Sequence, residues 1–275
     1  MYDTILVPTD GSDVTDVAAT QAVVLAERFG ADVHTLYVRE EEDDVAGENA
    51  TTAVAERVRA AGLDATTAVL DAEEAVHRAI LGYAADHDAD CIAMGTHGRT
   101  GLGQHLLGSV AERTLRKSPV PVVTVREETV VDDFDAVLVP TDGSDCAETA
   151  AAHAVELAAA TGATLHVVHV VDRGVLPSDG SGTLLEALER VGQRALESVI
   201  DRADAAGVSS VQASILSGSP YRAIVAYAED EGIDLIAMGT HGRTGFDRYL
   251  LGSVTERVVR LSDRPVLSIG DHERI

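Results

Sequence analysis

Two short segments of this sequence carry residues better suited to holding a phosphate ester than to breaking a bond. In Pro8-Thr9-Asp10-Gly11 an apolar run stops at a carboxylate and a glycine. In Met94-Gly95-Thr96-His97-Gly98 another apolar run stops at two glycines, and after nine intervening residues comes Gly108-Ser109-Val110. Gly95 and Gly98 can take backbone conformations closed to other residues and let a ligand approach the main chain. A glycine and a hydroxyl opening a helix present main-chain N–H groups, the positive end of the helix dipole and an O–H donor, which together suit a phosphate. Arg99, between the glycines, can reach a phosphate through charge-assisted hydrogen bonds or stand solvated. His97 has no carboxylate or nucleophile fixed beside it by the sequence, so no catalytic role is assigned to it. Simpler roles exist for each group: a turn at Asp10, turn glycines, an ordinary helix cap at Ser109. No G-x-x-x-x-G-K-[ST] loop occurs, and Lys117, the sole lysine, lies beyond the motif.

Each of these segments occurs twice. Residues 5–13 read ILVPTDGSD and residues 137–145 read VLVPTDGSD; IAMGTHGRTG stands at both 92–101 and 236–245; LLGSV stands at both 106–110 and 250–254. The second set of candidates is therefore Pro140, Thr141, Asp142, Met238, Gly239, Gly242, Arg243, Gly252, Ser253 and Val254, with His241 in place of His97. The offset is 132 positions at the first motif and 144 at the others, so the second copy carries a net insertion of 12 residues. Most of it falls after Val171, in DRGVLPSDGSGT, whose glycine, proline and serine read as a loop. A period this long indicates two domains in tandem, 1–128 and 134–275, joined through the acidic segment 126–135.

The elements that must position these groups alternate strand and helix. Strands are predicted at 4–9, 32–38, 65–70, 89–95 and 121–125, with helices at 13–29, 48–61, 73–87 and 109–117. Ser12 or Asp13 caps the first helix and Gly30 stops it. The second copy repeats the order, and its third helix starts at Ser219-Pro220. The fold class is therefore α/β, two doubly wound domains, each a parallel sheet with helices on both faces. Such sheets bind ligands at the carboxyl ends of their strands, where the winding reverses. After the third strand the second copy has Gly218-Ser219-Pro220 where the first is read as Asp71-Ala72-Glu73. That strand is expected at a sheet edge, far from the site.

The order G-x-x-G, nine residues, G-S, with the aspartate after the first strand and a closing Pro-Val strand, resembles the universal stress protein family over nearly the whole chain, twice. The resemblance implies a five-stranded sheet of order 3-2-1-4-5 in each domain. It also implies one adenine nucleotide, ATP or AMP, per domain, with Mg²⁺ an option held through the phosphates. In nucleotide-binding members the base and ribose are held by the aspartate and by the main chain near the end of the second strand. Carried onto this sequence, these are Asp10 and Val38, and Asp142 and Val170. The phosphates fall to Gly95, Gly98, Gly108 and Ser109, and to Gly239, Gly242, Gly252 and Ser253. The implied role is a stress-response sensor or adaptor. A slow ATP hydrolase and an interaction module without nucleotide are the alternatives.

The formal charge is −25, from 46 acidic and 21 basic residues. A polyanion repels such a surface, so nucleic acid is not an expected partner. With 45% hydrophobic residues in patterned runs the chain is not a disordered acidic protein. An acidic, nearly lysine-free composition fits concentrated salt, where a Debye length of about 3 Å screens self-repulsion. Cys91 and Cys146 have neither redox nor metal spacing and are expected to be reduced thiols. With no apolar run long enough to span a membrane and no basic segment before the first apolar run, a cytoplasmic location is expected. The final strands, PVVTV and PVLSI, are apolar edges that should be paired or covered, so an intramolecular pseudo-dimer is expected and further homo-oligomerisation is left open.

Overall fold

A computed structural model describes residues 1–40, 46–98, 107–131, 133–172, 182–242 and 251–270. The chain divides between Asp132 and Asp133 into two compact units.

The first unit runs β1 (Thr4–Thr9), α1 (Asp13–Phe29), β2 (Asp32–Arg39), α2 (Ala46–Ala60), β3 (Ala65–Asp71), α3 (Val76–Asp86), β4 (Cys91–Gly95), α4 (Ser109–Lys117) and β5 (Val122–Val125). Its strands are parallel and stand in the order β3-β2-β1-β4-β5. The central strands are covered on both faces, which is why they read as continuous apolar runs: Ile5, Leu6 and Val7 are all fully buried. At the edge, β3 is apolar only in part and four of its seven residues are exposed. Gly30 ends α1 in the left-handed region, φ 67°, and donates its N–H to the Ala26 carbonyl. The Asp90 carboxylate accepts from the N–H groups of Asp3 and Thr4 at 2.8 and 3.2 Å, tying the start of β1 to the approach of β4.

The second unit runs β6 (Ala136–Pro140), α5 (Asp145–Thr161), β7 (Thr164–Val171), α6 (Gly182–Ala206), β8 (Val211–Ser217), α7 (Pro220–Asp230), β9 (Leu235–Gly239), α8 (Ser253–Leu261) and β10 (Val266–Ile269). Its order, β8-β7-β6-β9-β10, is the same arrangement. Asp234 repeats the tie of Asp90, accepting from the N–H groups of Asp135 and Ala136, both at 2.9 Å.

Three details of the sequence reading change. The inserted stretch after Val171 is not wholly loop, because Gly182 and Thr183 already belong to α6, a helix of 25 residues against 15 in α2. The third helix starts at Val76 rather than residue 73, because the connection from β3 takes four residues where the second copy uses two. The positions matching Gly218-Ser219-Pro220 by their distance from the following helix are thus Glu74-Ala75-Val76, not Asp71-Ala72-Glu73.

Candidate functional site

Strand register opens a crevice at the carboxyl end of each sheet. In the first unit β1 pairs with β4 only at Ile5↔Cys91 and Leu6↔Ile92, and the strands then separate although β1 continues to Thr9. On its other side β1 pairs with β2 as far as Thr9↔Tyr37, whereas β2 continues against β3 to Arg39↔Asp71. Val38 thus projects beyond β1 at the point where the winding reverses, the position at which open parallel sheets accept ligands. A cleft of about 550 Å³ fills this space. Every first-copy candidate lines it except Arg99, which lies outside the described residues, as does Arg243. Pro8, Thr9 and Asp10 come from the end of β1 and Val38 from β2; Met94, Gly95 and Gly98 follow from β4, and Gly108, Ser109 and Val110 from the start of α4.

Asp10 has two functions at once. Its Oδ1 accepts from the Ser12 N–H at 3.1 Å, the Ser12 hydroxyl at 2.5 Å and the Thr15 hydroxyl at 3.2 Å, which makes the tight turn into α1. Its Oδ2 lies against Gly98, so closely that a Cβ at Gly98 would collide with it. The turn therefore fixes the carboxylate and directs one oxygen to the loop after β4. Asp142 repeats this: its Oδ1 accepts from the Ser144 N–H at 3.0 Å, and a Cβ at Gly242 would stand 2.6 Å from its Oδ2.

The motif glycines are required for space, not for unusual dihedral angles. Gly95 and Gly98 lack the positive φ that the sequence reading allowed them, as does Gly108; beside the site that conformation belongs to Gly11 and Gly143, at 76° and 74°. A Cβ at Gly95 would stand 2.7 Å from the Val14 side chain, and one at Gly239 2.8 Å from the Cys146 sulfur. Both glycines thus let the first helix of each unit close onto the fourth strand. Gly108 donates its N–H to the Thr96 carbonyl at 2.7 Å, and a Cβ there would meet that oxygen at 3.2 Å and His97 Cα at 3.3 Å. Gly252 repeats the bond to Thr240 at 2.7 Å and the crowding against His241 Cα at 3.1 Å.

Gly108 and Gly252 are themselves the N-caps of α4 and α8 and have no side chain to cap them. Ser109 and Ser253 are the first helical residues, not caps. The opening N–H groups of α4, at Ser109, Val110 and Ala111, are therefore not capped by the N-cap residue, and these three residues line the cleft. Such an end suits an anion. His97 also lines the cleft, with its Nδ1 3.2 Å from the Thr96 hydroxyl; His241 and Thr240 repeat that pair at 3.2 Å.

Sequence reasoning missed part of the wall. Val76 and Ile80, one turn apart on α3, line the cleft, so the segment after β3 is not far from the site. Their i, i+4 spacing was the available signal. Leu36, Tyr37, Thr15 and Glu40 also contribute. Tyr37 is seated by Gly47 on α2, where a Cβ would stand 2.7 Å from the ring. His169 takes the same position in the second unit, packed against Gly192 on α6, with its Nδ1 2.8 Å from the Thr141 carbonyl. Val170 follows it near the end of β7, whose pairing with β8 outlasts that with β6. Pro140 ends β6 and Thr141 and Asp142 follow it, Met238 and Gly239 end β9, and Ser253 and Val254 open α8. Both cysteines are buried free thiols, and burial pushes Cys91 up to about 12. Among the described residues no three His, Cys, Asp or Glu side chains are grouped to hold a metal ion, and no helix is long and apolar enough to cross a membrane.

The fold and the site define a doubly wound α/β protein whose sheet ends open onto bare helix N-termini. The chain belongs to the universal stress protein family, whose profile matches residues 1–126 and again 133–269. A universal stress protein of Methanocaldococcus jannaschii is 41% identical over 140 residues, covering 50% of this chain and 82% of the relative. One from Mycolicibacterium smegmatis is 31% identical over 201 residues, 72% of this chain and 66% of its own length. The crystal structure of a universal stress protein from Archaeoglobus fulgidus matches with a TM-score of 0.73 and 28% identity, covering 98% of both chains.

Proposed function

We propose that each unit binds one adenine nucleotide, ATP or AMP, and that the chain acts as a stress-response sensor or adaptor in a salt-rich cytoplasm. The observation that carries this reading is the pairing of two unlike ends in one cleft: the fixed Asp10 carboxylate at β1 and the bare N-terminus of α4. A carboxylate and main-chain groups at the end of β2 suit the hydroxyls of a ribose and the amine of a base. The N–H groups of α4 suit phosphate. Val38, Val76, Ile80 and Met94 supply apolar surface for a planar ring between them. In the second unit Asp142, Val170, Met238, Gly252 and Ser253 occupy matching places in the fold, which supports a second site. Arg99 and Arg243 are proposed to reach the phosphates, and Mg²⁺ would be carried by the phosphates.

The test is mass spectrometry of small molecules released from the purified chain, followed by calorimetry with ATP and AMP in molar KCl. Released or titrated adenine nucleotide approaching two per chain supports the proposal. No binding of either nucleotide to a folded chain contradicts it. Turnover measured in the same buffer decides between a sensor and a slow hydrolase.

A further inference from the structure

The first unit has a second recess, of about 520 Å³, on the face formed by the start of α3 and the body of α4. Its lining carries four cations against one carboxylate, Glu74, in a chain of net charge −25: Arg78, Arg113, Arg116 and Lys117, the only lysine present. Two of these cations are matched, Arg78 by Glu74 and Arg116 by Glu112 at 3.3 Å. Arg113 and Lys117 are exposed and make no ion pair among the described residues. At the wall stands His77, 5% exposed, whose Nε2 is buried without a hydrogen-bond partner. A buried polar atom left unpaired is costly, and a ring placed at this wall responds to charge in the recess.

The second unit supplies an internal control. At the matching positions Arg222, Arg257 and Arg260 are retained, but His77 is replaced by Tyr221, Lys117 by Leu261 and Glu74 by Gly218. The Tyr221 ring takes up the cations: the guanidinium carbons of Arg222 and Arg257 lie 5.7 and 5.0 Å from its centroid, and Arg222 Nε donates to its hydroxyl at 2.9 Å. Arg260 pairs with Glu256 at 3.2 Å, as Arg116 does with Glu112. The cations of the second copy are thus engaged within the protein, whereas in the first Arg113 and Lys117 make no ion pair among the described residues.

We propose that the α3–α4 recess of the first unit is a second anion site, distinct from the strand-end cleft, which binds a small phosphate-type oxyanion through Arg113 and Lys117, with the buried His77 imidazole at its wall. Burial and the charges of Lys117, Arg113 and Arg78 lower the His77 pKa, with Glu74 opposing them. A bound anion offsets those charges, so the proton returns to His77 as the ligand arrives. The same helices serve both sites: Val76 on α3 and Ser109 on α4 line the strand-end cleft, and His77 and Arg113 line the recess.

The probe is inorganic pyrophosphate, added to the full chain in 1 M KCl so that general screening is already saturated. The readout is the His77 imidazole resonance, assigned by its loss in His77→Gln. Pyrophosphate at millimolar concentration is expected to raise the pH midpoint of His77. In Arg113→Gln/Lys117→Gln the pyrophosphate affinity should fall at least tenfold, with adenine nucleotide binding in the strand-end cleft unchanged. Because the readout is local, pyrophosphate entering that cleft does not imitate the result. If the cations only offset the carboxyl end of α4, the double variant lowers Tm and pyrophosphate leaves His77 unmoved in both proteins, which overturns the proposal. Should the double variant not fold, Lys117→Leu, the residue of the second copy, makes the same test, and an undiminished pyrophosphate effect there counts against the site.

Discussion

Valine in place of Gly108 is expected to remove one nucleotide site and leave the other. The backbone at Gly108, φ −65° and ψ 147°, is open to valine, so the substitution acts through space rather than through dihedral strain. Its Cβ would press on the Thr96 carbonyl oxygen at 3.2 Å and His97 Cα at 3.3 Å, both main chain and unable to turn aside. The 2.7 Å bond that holds Gly108 to Thr96 must then lengthen, and the opening N–H groups of α4 move away from the cleft. Each charge-assisted bond to a phosphate contributes about 1.5–3 kcal/mol, so losing two costs at least about 3 kcal/mol, roughly a hundredfold in affinity. The second site is assembled from Asp142, Gly242 and Gly252 in its own unit and should keep near-native affinity. Calorimetry on the full chain, with circular dichroism as the control for folding, should show one site lost and one retained, and Gly252→Val should give the mirror result. If Gly108→Val abolishes both sites in a folded protein, the independence of the sites is wrong. If affinity is unchanged at both, the N-terminus of α4 does not hold phosphate.

Burial lowers the pKa of His34 and of His166, which lie beside the hydroxyls of Tyr83 and Tyr227 at 3.2 and 3.0 Å. The unfolded chain therefore binds more protons below about pH 6.5, so stability is full above that pH and is lost as pH falls toward the lowered values. Melts in molar KCl between pH 7.5 and 5.5 should show a falling Tm, and a flat or rising Tm counts against this assignment. With 46 acidic residues against 21 basic ones, Tm should rise from low to molar KCl at pH 7.5; an unchanged Tm means the surface tolerates its own repulsion. Asp90→Ala removes the acceptor for two N–H groups at the start of β1 and should cost about 1–3 kcal/mol in chemical denaturation; no loss would mean that water replaces the carboxylate without cost.

Repetition made most of the architecture legible in the sequence. A strand-ending PTDGSD and a GTHGRTG that occur twice define two domains, and alternating elements with buried apolar runs define parallel sheets. The separation of β1 from β4 after Leu6 is a matter of register between strands distant in sequence, and no local pattern encodes it. For the same reason the spacing of the glycines identified them but not their tasks. Gly95 is needed by Val14 of α1, and Gly98 by Asp10, contacts that exist only once the chain has folded. α6 begins inside a Gly/Ser stretch because local turn composition is outweighed by the apolar face of a long helix. The recess is not legible in the sequence because Arg78 and Lys117 lie far apart in the chain and share a lining only when α3 packs on α4.

The central claim is that both units hold adenine nucleotide through the same pair of features, a fixed aspartate and a bare helix N-terminus. Its most direct measurement is the nucleotide content of the chain: titration with ATP in molar KCl, by calorimetry, on the unaltered protein and on Asp10→Ala/Asp142→Ala. The account requires a stoichiometry approaching two for the unaltered chain and a loss of affinity at both sites in the folded double variant. A stoichiometry near zero, or two sites of undiminished affinity after both aspartates are removed, would contradict it.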